Sequence, residues 1–293
     1  MNIAFCVNRL GLIGLGVTVI SLIRNCSTPD KLRLFFLCAD VSSSDKKEIE
    51  NLLKTENFLG SCKFIDFDPV TIFGSFRSLH GDWTTYGRLL LSDLIEDAEV
   101  LYLDSDLVIE VDVLELSSFN FNGKALAAVP GGTLKTEIEN DFYINKVGLN
   151  SDLESFNAGI LFFNLREWRL KQLKERCFEL ANRFPNDLIS ADQSILNAVF
   201  AGNFSKLPLS FNCPWPPNGK KPIIADQVVN HFVGSPKPWD LLGSVIHNGF
   251  NVWKKYSNRT WERRYNSYSF QNFKRTWNLR RSYFRVFKNK IKL

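Results

Sequence analysis

Short apolar runs alternate with helical patterns through the first half of this chain. Such alternation is typical of βαβ units, in which helices wrap a mainly parallel sheet. The runs predicted to form strands are Asn2–Asn8, Leu32–Leu37, Lys63–Asp66, Val100–Asp104 and Ala125–Val129. Helical patterns follow at Asp45–Thr55, Thr84–Leu94, Arg166–Asn182 and Asp192–Phe200. The sequence therefore predicts an α/β fold, and such sheets bind ligands at the carboxyl ends of their strands.

Two features favour a cytoplasmic protein. The apolar run Leu10–Ile23 has 14 residues, whereas a membrane-spanning helix needs about 20. Arg24, Asn25 and Cys26 follow in place of a small-residue cleavage site, so we predict the first helix of the core instead. The six cysteines form no CxxC pair and are expected to be buried, reduced thiols: Cys6, Cys26, Cys38, Cys62, Cys177 and Cys213.

The positive charge of the chain is concentrated at its C-terminal end. Residues 251–293 contain 13 Lys and Arg residues and one acidic residue, Glu262, which makes their formal charge +12. Since the whole chain carries +5, residues 1–250 carry −7. The change in composition predicts a domain boundary near residue 250, and a strongly basic tail favours a negatively charged partner surface.

Apolar residues of this tail recur at the spacing of one helical face. They are Phe270, Phe273, Trp277, Phe284, Phe287 and Ile291. Basic residues flank them at Lys274, Arg281, Arg285 and Lys292. A basic amphipathic segment with aromatic residues suits an anionic membrane surface, and residues 253–268 have the same character. A face packed on the core and a nucleic-acid patch are the alternatives; the enzyme-like body favours the membrane, and no nucleic-acid partner is expected.

Asp104 and Asp106 come at the end of a predicted buried strand, in the segment Val100-Leu-Tyr-Leu-Asp-Ser-Asp106. Because alternate residues leaving a strand point the same way, both carboxylates can face one ion. Mg²⁺ and Mn²⁺ prefer oxygen ligands and commonly bridge phosphates, so such a metal would neutralise a diphosphate leaving group. Two solvated loop acids, with Asp104 as a cap, are the alternative, but the apolar residues before them favour a site.

Two further clusters of polar or small residues adjoin apolar segments. Asn157 and Gly159 interrupt an apolar strand, where Gly159 permits either close approach of a ligand or a bulge. Asp192 and Gln193 begin a predicted helix, where Asp192 is either a site residue or a helix cap. Neither cluster defines a chemistry by itself.

A last cluster lies in the segment Asn230–Trp239. His231 is either a metal ligand or a histidine satisfied in the core. Lys237 can hold a phosphate group, and Gly234 offers a backbone amide. Only the combination of this segment with the two aspartates makes chemistry a reasonable expectation.

In this order, the clusters resemble glycosyltransferase family 8. The stretches that carry the resemblance are Thr84-Thr-Tyr-Gly-Arg-Leu89, Val100–Asp106, Phe156–Ile160, Asp192–Asn197 and His231–Trp239. The resemblance implies a GT-A fold, with a Rossmann-like mixed sheet flanked by helices, over residues 1–250. A basic, aromatic helical tail would follow as a membrane-associating segment over residues 251–293. The family uses nucleotide sugars, mostly UDP-sugars, with Mn²⁺, and this chain is similar to bacterial galactosyl- and glucosyltransferases of lipopolysaccharide or lipooligosaccharide.

The resemblance implies a role for each matching residue. Asp104, Asp106 and His231 would bind the metal. Contacts with the nucleotide sugar are implied for Asn8, Arg88, Asp104, Ser105, Asn157, Ala158, Gly234 and Lys237. Of these, Gly234 and Lys237 would contact the diphosphate. Asp192 would hydrogen-bond the donor sugar, and Gln193 would lie beside the anomeric carbon.

The sequence departs from the family pattern at two places. Asn8 and Arg9 follow the first strand, where the family usually has an acidic residue for uracil, although Asn8 can still hydrogen-bond a base. Pro130, Gly131 and Gly132 stand where relatives often have an acidic residue near the donor sugar. UDP is thus the expected carrier, and the identity of its sugar is open.

These observations predict a retaining glycosyltransferase on the inner face of the cell membrane. It would move galactose or glucose from a UDP-sugar to a saccharide or glycolipid acceptor, such as lipopolysaccharide, with Mn²⁺ or alternatively Mg²⁺. Because Gln193 is a poor nucleophile, front-face substitution fits better than a covalent intermediate. A sugar-nucleotide hydrolase or nucleotidyltransferase and a non-catalytic nucleotide-sugar-binding module are the alternatives.

Overall fold

The computed structural model describes residues 1–266 and 270–291. Its strands are β1 (Asn2–Asn8), β2 (Arg33–Ala39), β3 (Ser61–Asp66), β4 (Glu99–Leu103), β5 (Leu107–Ile109), β6 (Leu126–Thr133), β7 (Glu154–Asn164), β8 (Ser205–Lys206), β9 (Cys213–Pro214) and β10 (Val229–His231). Among the described residues, seven strands form the main sheet in the order β3-β2-β1-β4-β7-β6-β8. Only β7 runs antiparallel to its neighbours, β4 and β6. The sheet is therefore mixed and mainly parallel, as predicted.

A second, smaller sheet joins the carboxyl end of β4 to the later part of the chain. Its strand order is β5-β10-β9, with β10 antiparallel to β5 and parallel to β9. The register pairs His231 with Leu107. Because Asp106 immediately precedes Leu107, this pairing brings His231 beside the end of β4.

The helices lie on both sides of the main sheet. They are α1 (Leu12–Asn25), α2 (Ser43–Thr55), α3 (Pro69–Phe73), α4 (Leu91–Leu94), α5 (Leu165–Leu170), α6 (Leu173–Arg183), α7 (Asp192–Phe200), α8 (Gly243–Ile246), α9 (Phe250–Lys255), α10 (Arg259–Tyr265), α11 (Phe270–Asn278) and α12 (Arg280–Ile291). Short 3₁₀ turns connect several of them, and Phe142–Lys146 forms a π-helical turn. Within residues 1–266 and 270–291, none of the helices combines the length and the apolar character needed to span a bilayer.

Two apolar cores cover the two faces of the main sheet. Phe5 and Val7 of β1 belong to one core, and Ala4 and Cys6 belong to the other. This division follows from the alternation of side chains along a strand. The predicted first helix is confirmed as α1, in which residues 12–23 are all buried. All six cysteines are free thiols, and Cys62 alone is not fully buried.

Three helical predictions are corrected by the structure. Helix α2 begins at Ser43 rather than at the predicted Asp45. Ser42 caps it, because the Ser42 hydroxyl accepts a hydrogen bond from the Asp45 amide at 3.1 Å. The segment predicted as one helix over Arg166–Asn182 is two helices, because Gln172 adopts a left-handed conformation with φ of 51°. The segment Thr84–Leu94 begins as a 3₁₀ helix, Thr84–Leu90, and only its last turn is α4.

Our interpretation of residues 253–268 as membrane-associating is wrong for Trp253, Tyr256 and Trp261. Trp253, Tyr256 and Trp261 are buried in the same core as α1. The indole of Trp261 donates a hydrogen bond to the carbonyl of Leu12 at 2.8 Å. Aromatic and basic composition alone does not distinguish a residue that packs on the domain from one that faces a membrane. The domain boundary near residue 250 stays a prediction.

Helices α11 and α12 pack against the segment at residues 240–247, which includes α8. Tyr283 and Val286 are buried against Ile246. Other large aromatic side chains of these two helices are exposed: Phe273 (66%), Trp277 (59%), Phe284 (76%) and Phe287 (36%). The side chains of Phe270 and Ile291, which were assigned to the same face, lie outside the described part of the chain, as does all of Lys292.

Candidate active site

The two predicted aspartates lie between the main sheet and the small sheet. Asp104 follows β4, and its backbone amide donates a hydrogen bond to the carbonyl of Gly159 in β7 at 2.8 Å. Asp106 precedes β5, and its carbonyl accepts a hydrogen bond from the amide of Phe232 at 3.0 Å. Strand β7 and the residue that follows β10 therefore hold the backbone of the two aspartates at the carboxyl end of β4.

His231 completes a cluster with the two aspartates. One ligand atom from each of Asp104, Asp106 and His231 lies within 4.8 Å of the other two. His231 Nε2 is 3.3 Å from Asp106 Oδ1, a buried oxygen that accepts no hydrogen bond from the described residues. Two carboxylates and an imidazole form a donor set that suits Mn²⁺, and also Mg²⁺ through its oxygens. The residues present therefore fit a divalent cation.

Asn212 orients the imidazole of His231, a role that the sequence analysis missed. Asn212 Oδ1 lies 2.9 Å from His231 Nδ1. A proton on Nδ1 makes this hydrogen bond and leaves the lone pair of Nε2 facing Asp106, as in histidines that bind metals. Asn212 carries no sequence signal for this role, because it meets His231 only through the pairing of β9 with β10.

Gly159 makes room for His231. A Cβ atom at Gly159 would lie 2.2 Å from His231 Cε1 and 2.8 Å from its Nδ1. We expected Gly159 to permit either the approach of a ligand or a bulge. In the structure the absent side chain instead admits the histidine ring. Gly159 thus contributes to the cluster without supplying a ligand atom.

Lys237 also faces this cluster. Its Nζ lies 2.6 Å from Asp106 Oδ2 and donates a hydrogen bond to the carbonyl of Phe232. Burial raises the pKa of Asp106, but the charge of Lys237 outweighs this effect and holds the pKa well below its usual range. Gly234, in the same loop, has φ of +72°, a left-handed conformation that favours glycine. The loop that contains Gly234 and Lys237 thus places the positively charged Lys237 side chain beside the aspartates.

Arg88 is a buried link between two carboxylates. Its side chain is 2% exposed and lies 3.0 Å from Asp104 Oδ1 and 2.9 Å from Asp192 Oδ2. It also donates to the carbonyl of Ala158 and lies over the ring of Tyr102 at 4.0 Å from the centroid. Protein groups therefore engage the guanidinium on several sides, and its predicted contact with a donor substrate stays a prediction.

The start of α7 faces the same region. Gln193 Oε1 accepts hydrogen bonds from the amide of Ala158 at 3.0 Å and from Asn157 Nδ2 at 3.2 Å. Asp192 is buried, and its Oδ2 has no hydrogen bond of good geometry within the described residues, although Arg88 is near. The structure therefore brings these four predicted residues, Asn157, Ala158, Asp192 and Gln193, to one place.

Asn8 and Ser105 lie at the neighbouring strand ends. Asn8 Nδ2 donates to Asp82 Oδ2 at 2.7 Å, and Asn8 Oδ1 accepts from the amide of Gly11 at 2.9 Å. Asp82, which the sequence analysis did not identify, therefore places a carboxylate beside the end of β1. Ser105 lies against α1, since a Cβ at Gly14 would be 2.3 Å from the Ser105 carbonyl oxygen.

A sheet edge with an Asp-Asp-His cluster and an adjoining lysine is suited to a divalent cation beside phosphate groups. Comparison with known proteins identifies the family. The profile of "Glycosyl transferase family 8" matches residues 2–243. The chain therefore belongs to glycosyltransferase family 8 and is a glycosyltransferase.

Individual relatives are similar over most of this chain. The lipopolysaccharide 1,3-galactosyltransferase of Salmonella typhimurium is 26% identical over 274 residues, which cover 89% of this chain and 79% of that protein. Glycosyltransferase GlyE of Streptococcus pneumoniae is 25% identical over 248 residues, which cover 80% of this chain and 56% of that protein.

The fold is also found in solved structures. The crystal structure of galactosyltransferase LgtC with donor and acceptor sugar analogues superposes with a TM-score of 0.74 at 24% identity, covering 89% of this chain and 99% of that one. At this identity the likeness concerns the fold, and it confirms the predicted GT-A architecture.

Proposed function

We propose that this protein is a retaining hexosyltransferase that moves galactose or glucose from a UDP-sugar to a lipid-linked saccharide, with Mn²⁺ as its metal. The observation that carries the proposal is the Asp104–Asp106–His231 cluster with Lys237 beside it. A cation at this cluster would neutralise the diphosphate leaving group. Lys237 and the backbone amide of Gly234 would hold the diphosphate at the same edge.

The remaining site residues orient the sugar and its acceptor. Asp192 Oδ2, buried and without a hydrogen bond of good geometry from the described residues, is suited to accept one from a sugar hydroxyl. Arg88 holds Asp192 and Asp104 in place through its buried ion pairs. Removing this arginine would leave two uncompensated carboxylates, which is costly in a buried site.

For a retaining transfer, the chemistry of Gln193 favours front-face substitution over a covalent intermediate. A neutral amide is a poor nucleophile, and its Oε1 already accepts two hydrogen bonds, from Ala158 and Asn157. In front-face substitution, the bond between the anomeric carbon and the diphosphate oxygen breaks while the acceptor oxygen bonds to the same face. The acceptor proton passes to the departing diphosphate oxygen, so no protein base is required.

Asn8 and Asp82 are the candidates for reading the base. A uracil ring presents one N–H donor between two carbonyl acceptors. The Asp82 carboxylate accepts from Asn8 at 2.7 Å and lies beside the carboxyl end of β1. The family usually has an acidic residue directly after the first strand, where this chain has Asn8 and Arg9. Asp82, which lies beside Asn8, supplies a carboxylate at that place from another part of the chain. We therefore keep UDP as the carrier.

The acceptor and the location rest on two observations. The Salmonella relative is named for galactosyl transfer to lipopolysaccharide. The tail exposes Phe273, Trp277, Phe284 and Phe287 on a strongly basic segment, which suits an anionic lipid surface. We propose that the protein lies on the inner face of the cell membrane, where a glycolipid acceptor reaches the site.

The first experiment is UDP release from a panel of UDP-sugars, with Mn²⁺ and with EDTA. We expect release from one hexose donor that requires Mn²⁺ and falls about 100-fold or more in Asp106→Asn, since a metal contributes several kcal/mol of charge stabilisation. Asp152→Asn, at an exposed aspartate paired with Lys135, is the matched control and should keep full activity.

Three outcomes would each contradict a part of the proposal. A folded protein that neither releases UDP nor binds UDP with Mn²⁺ would exclude UDP-sugars as donors. Release that continues unchanged in EDTA would exclude the metal site. Release without transfer to any added glycan would favour the hydrolase instead.

A further inference from the structure

An ion pair joins the C-terminal tail to Asp240, three residues after Lys237. Arg275 of α11 lies against Asp240 in two places, with Nε 2.8 Å from Oδ1 and Nη2 3.1 Å from Oδ2. The Asp240 side chain is only 7% exposed. Such a two-bond contact between arginine and a carboxylate fixes geometry as well as charge.

The same carboxylate also binds the backbone of Lys237. The amide of Lys237 donates to Asp240 Oδ2 at 2.7 Å. The amide of Asp240 donates back to the carbonyl of Lys237 at 3.1 Å, so residues 237–240 form a closed turn. At the other end of this turn, Lys237 Nζ reaches Asp106 Oδ2 at 2.6 Å. A continuous chain of contacts therefore runs from Arg275 to the Asp104–Asp106–His231 cluster.

Further contacts hold the tail on two residues after this turn, Leu241 and Ile246, and on Asn218 before it. The hydroxyl of Tyr283 donates to the carbonyl of Leu241 at 2.8 Å. Tyr283 and Val286 pack against Ile246. Asn218 Nδ2 donates to the carbonyl of Val286 at 3.1 Å. Phe273, Trp277 and Phe284 take no part in these contacts, and their side chains stay exposed.

We propose that Arg275 is a positioning residue for Lys237, so that the C-terminal tail sets the affinity of the active site for the diphosphate. This inference rests on the proposed function, since it assigns the lysine to the diphosphate of a UDP-sugar. Arg275 holds Asp240, and Asp240 fixes the backbone from which Lys237 extends. Without the guanidinium, the buried Asp240 carboxylate loses its counter-ion, and the turn that it closes loses its anchor.

The experiment measures binding of UDP and of UMP to the full chain with Mn²⁺ by calorimetry. We expect Arg275→Gln to weaken UDP binding about tenfold, within the range of coupling energies between neighbouring residues. UMP binding should change less than twofold, because UMP lacks the second phosphate. Arg281→Gln removes the same charge from an exposed residue of α12 that has no ion pair within the described residues, and it should bind both nucleotides like the parent.

A double-mutant cycle separates positioning from a general loss of stability. If Arg275 acts through the lysine, Lys237→Ala with Arg275→Gln should bind UDP no more weakly than Lys237→Ala alone. Arg275→Lys keeps the charge without the two-bond geometry, so we expect it to fold like the parent and to show part of the defect. Melting curves of each variant identify any loss of fold.

Three outcomes would overturn the inference. UDP binding by Arg275→Gln equal to that of the parent, additive losses in the double variant, or equal weakening of UDP and UMP would each exclude a role through Lys237. A parent protein that binds no UDP with Mn²⁺ would overturn the proposed function as well. The two failures are therefore distinguishable.

Discussion

His231 Nε2 lies 3.3 Å from Asp106 Oδ1, although the two residues belong to distant parts of the chain. The antiparallel pairing of β10 with β5 produces this proximity, because it sets His231 opposite Leu107. Neither the strand Val229–His231 nor the strand Leu107–Ile109 has more than three residues. A short pairing of two strands thus assembles the candidate metal site.

Asn212 should control the metal affinity of His231. Asn212→Ala removes the partner of His231 Nδ1, so the ring loses its orientation, and Mn²⁺ affinity should fall about 10- to 100-fold. Asn212→Asp keeps an acceptor for the same proton and should lose much less. Mn²⁺ titration followed by electron paramagnetic resonance measures both variants. Equal affinity in Asn212→Ala and the parent would show that Asn212 does not orient the ligand.

Gly159→Ala should disturb the same histidine sterically. The new Cβ would lie 2.2 Å from His231 Cε1, so the ring must move or the protein loses about 1–3 kcal/mol of stability. Gly131→Ala is the matched control, because its nearest neighbour would be 3.6 Å away, an ordinary contact. Melting curves and Mn²⁺ titration of the two variants test this. Similar behaviour of both would mean that the site has room for the methyl group.

His247 should make the protein less stable in acid. Burial, with the charges of Lys237 and Lys290 and against that of Asp240, lowers its pKa from 6.5 to about 3. The unfolded chain therefore binds a proton between these values that the folded protein does not, so the free energy of unfolding falls as pH drops from 6.5 towards 3.

The variant His247→Gln tests this pH dependence. It should reduce the slope of the free energy of unfolding by about 1.4 kcal/mol per pH unit between pH 6 and pH 4. Urea unfolding at several pH values measures the slope, and the difference between parent and variant cancels the contribution of the carboxylates. Parallel curves for the two proteins would show that His247 does not titrate in this way.

The exposed aromatic face of the tail should bind anionic membranes. Trp277 is 59% and Phe284 76% exposed, so replacing both with serine removes apolar surface without opening the core. We expect sedimentation with phosphatidylglycerol vesicles to fall about tenfold or more, since burying each large apolar side chain contributes about 1.5–3 kcal/mol. Leu170→Ser removes another exposed apolar residue, outside the tail, and should bind normally. Unchanged sedimentation of the double variant would exclude this face.

Local patterns predicted most of the main sheet and the first helix. The apolar run before Asp104 forms the strand β4, in which Val100–Leu103 are buried. The apolar run near the N-terminus forms α1, in which residues 12–23 are buried. These elements follow from hydrophobicity over a few neighbouring residues, which a single sequence displays. The short strands β8, β9 and β10 lack such a signal, because two or three residues carry no period.

The role of the C-terminal aromatic residues required the structure. Trp253 and Trp261 are buried, whereas Trp277 is exposed, and all three stand in a basic segment of the same composition. Helix periodicity shows which residues share a face, but whether that face meets the core depends on where the chain passes. Here α10 packs on α1, while α12 buries Tyr283 and Val286 against Ile246.

The sequence by itself determined the α/β architecture, the aspartate pair at the end of β4 and the set of residues that the family resemblance implies. Only the tertiary structure decided that Asn212 orients His231, that Gly159 makes room for it, that Asp82 joins Asn8 and that Arg275 holds Asp240. The physical reason is range. Periodicity and strand ends depend on adjacent residues, whereas each of these contacts joins side chains brought together by the packing of separate elements.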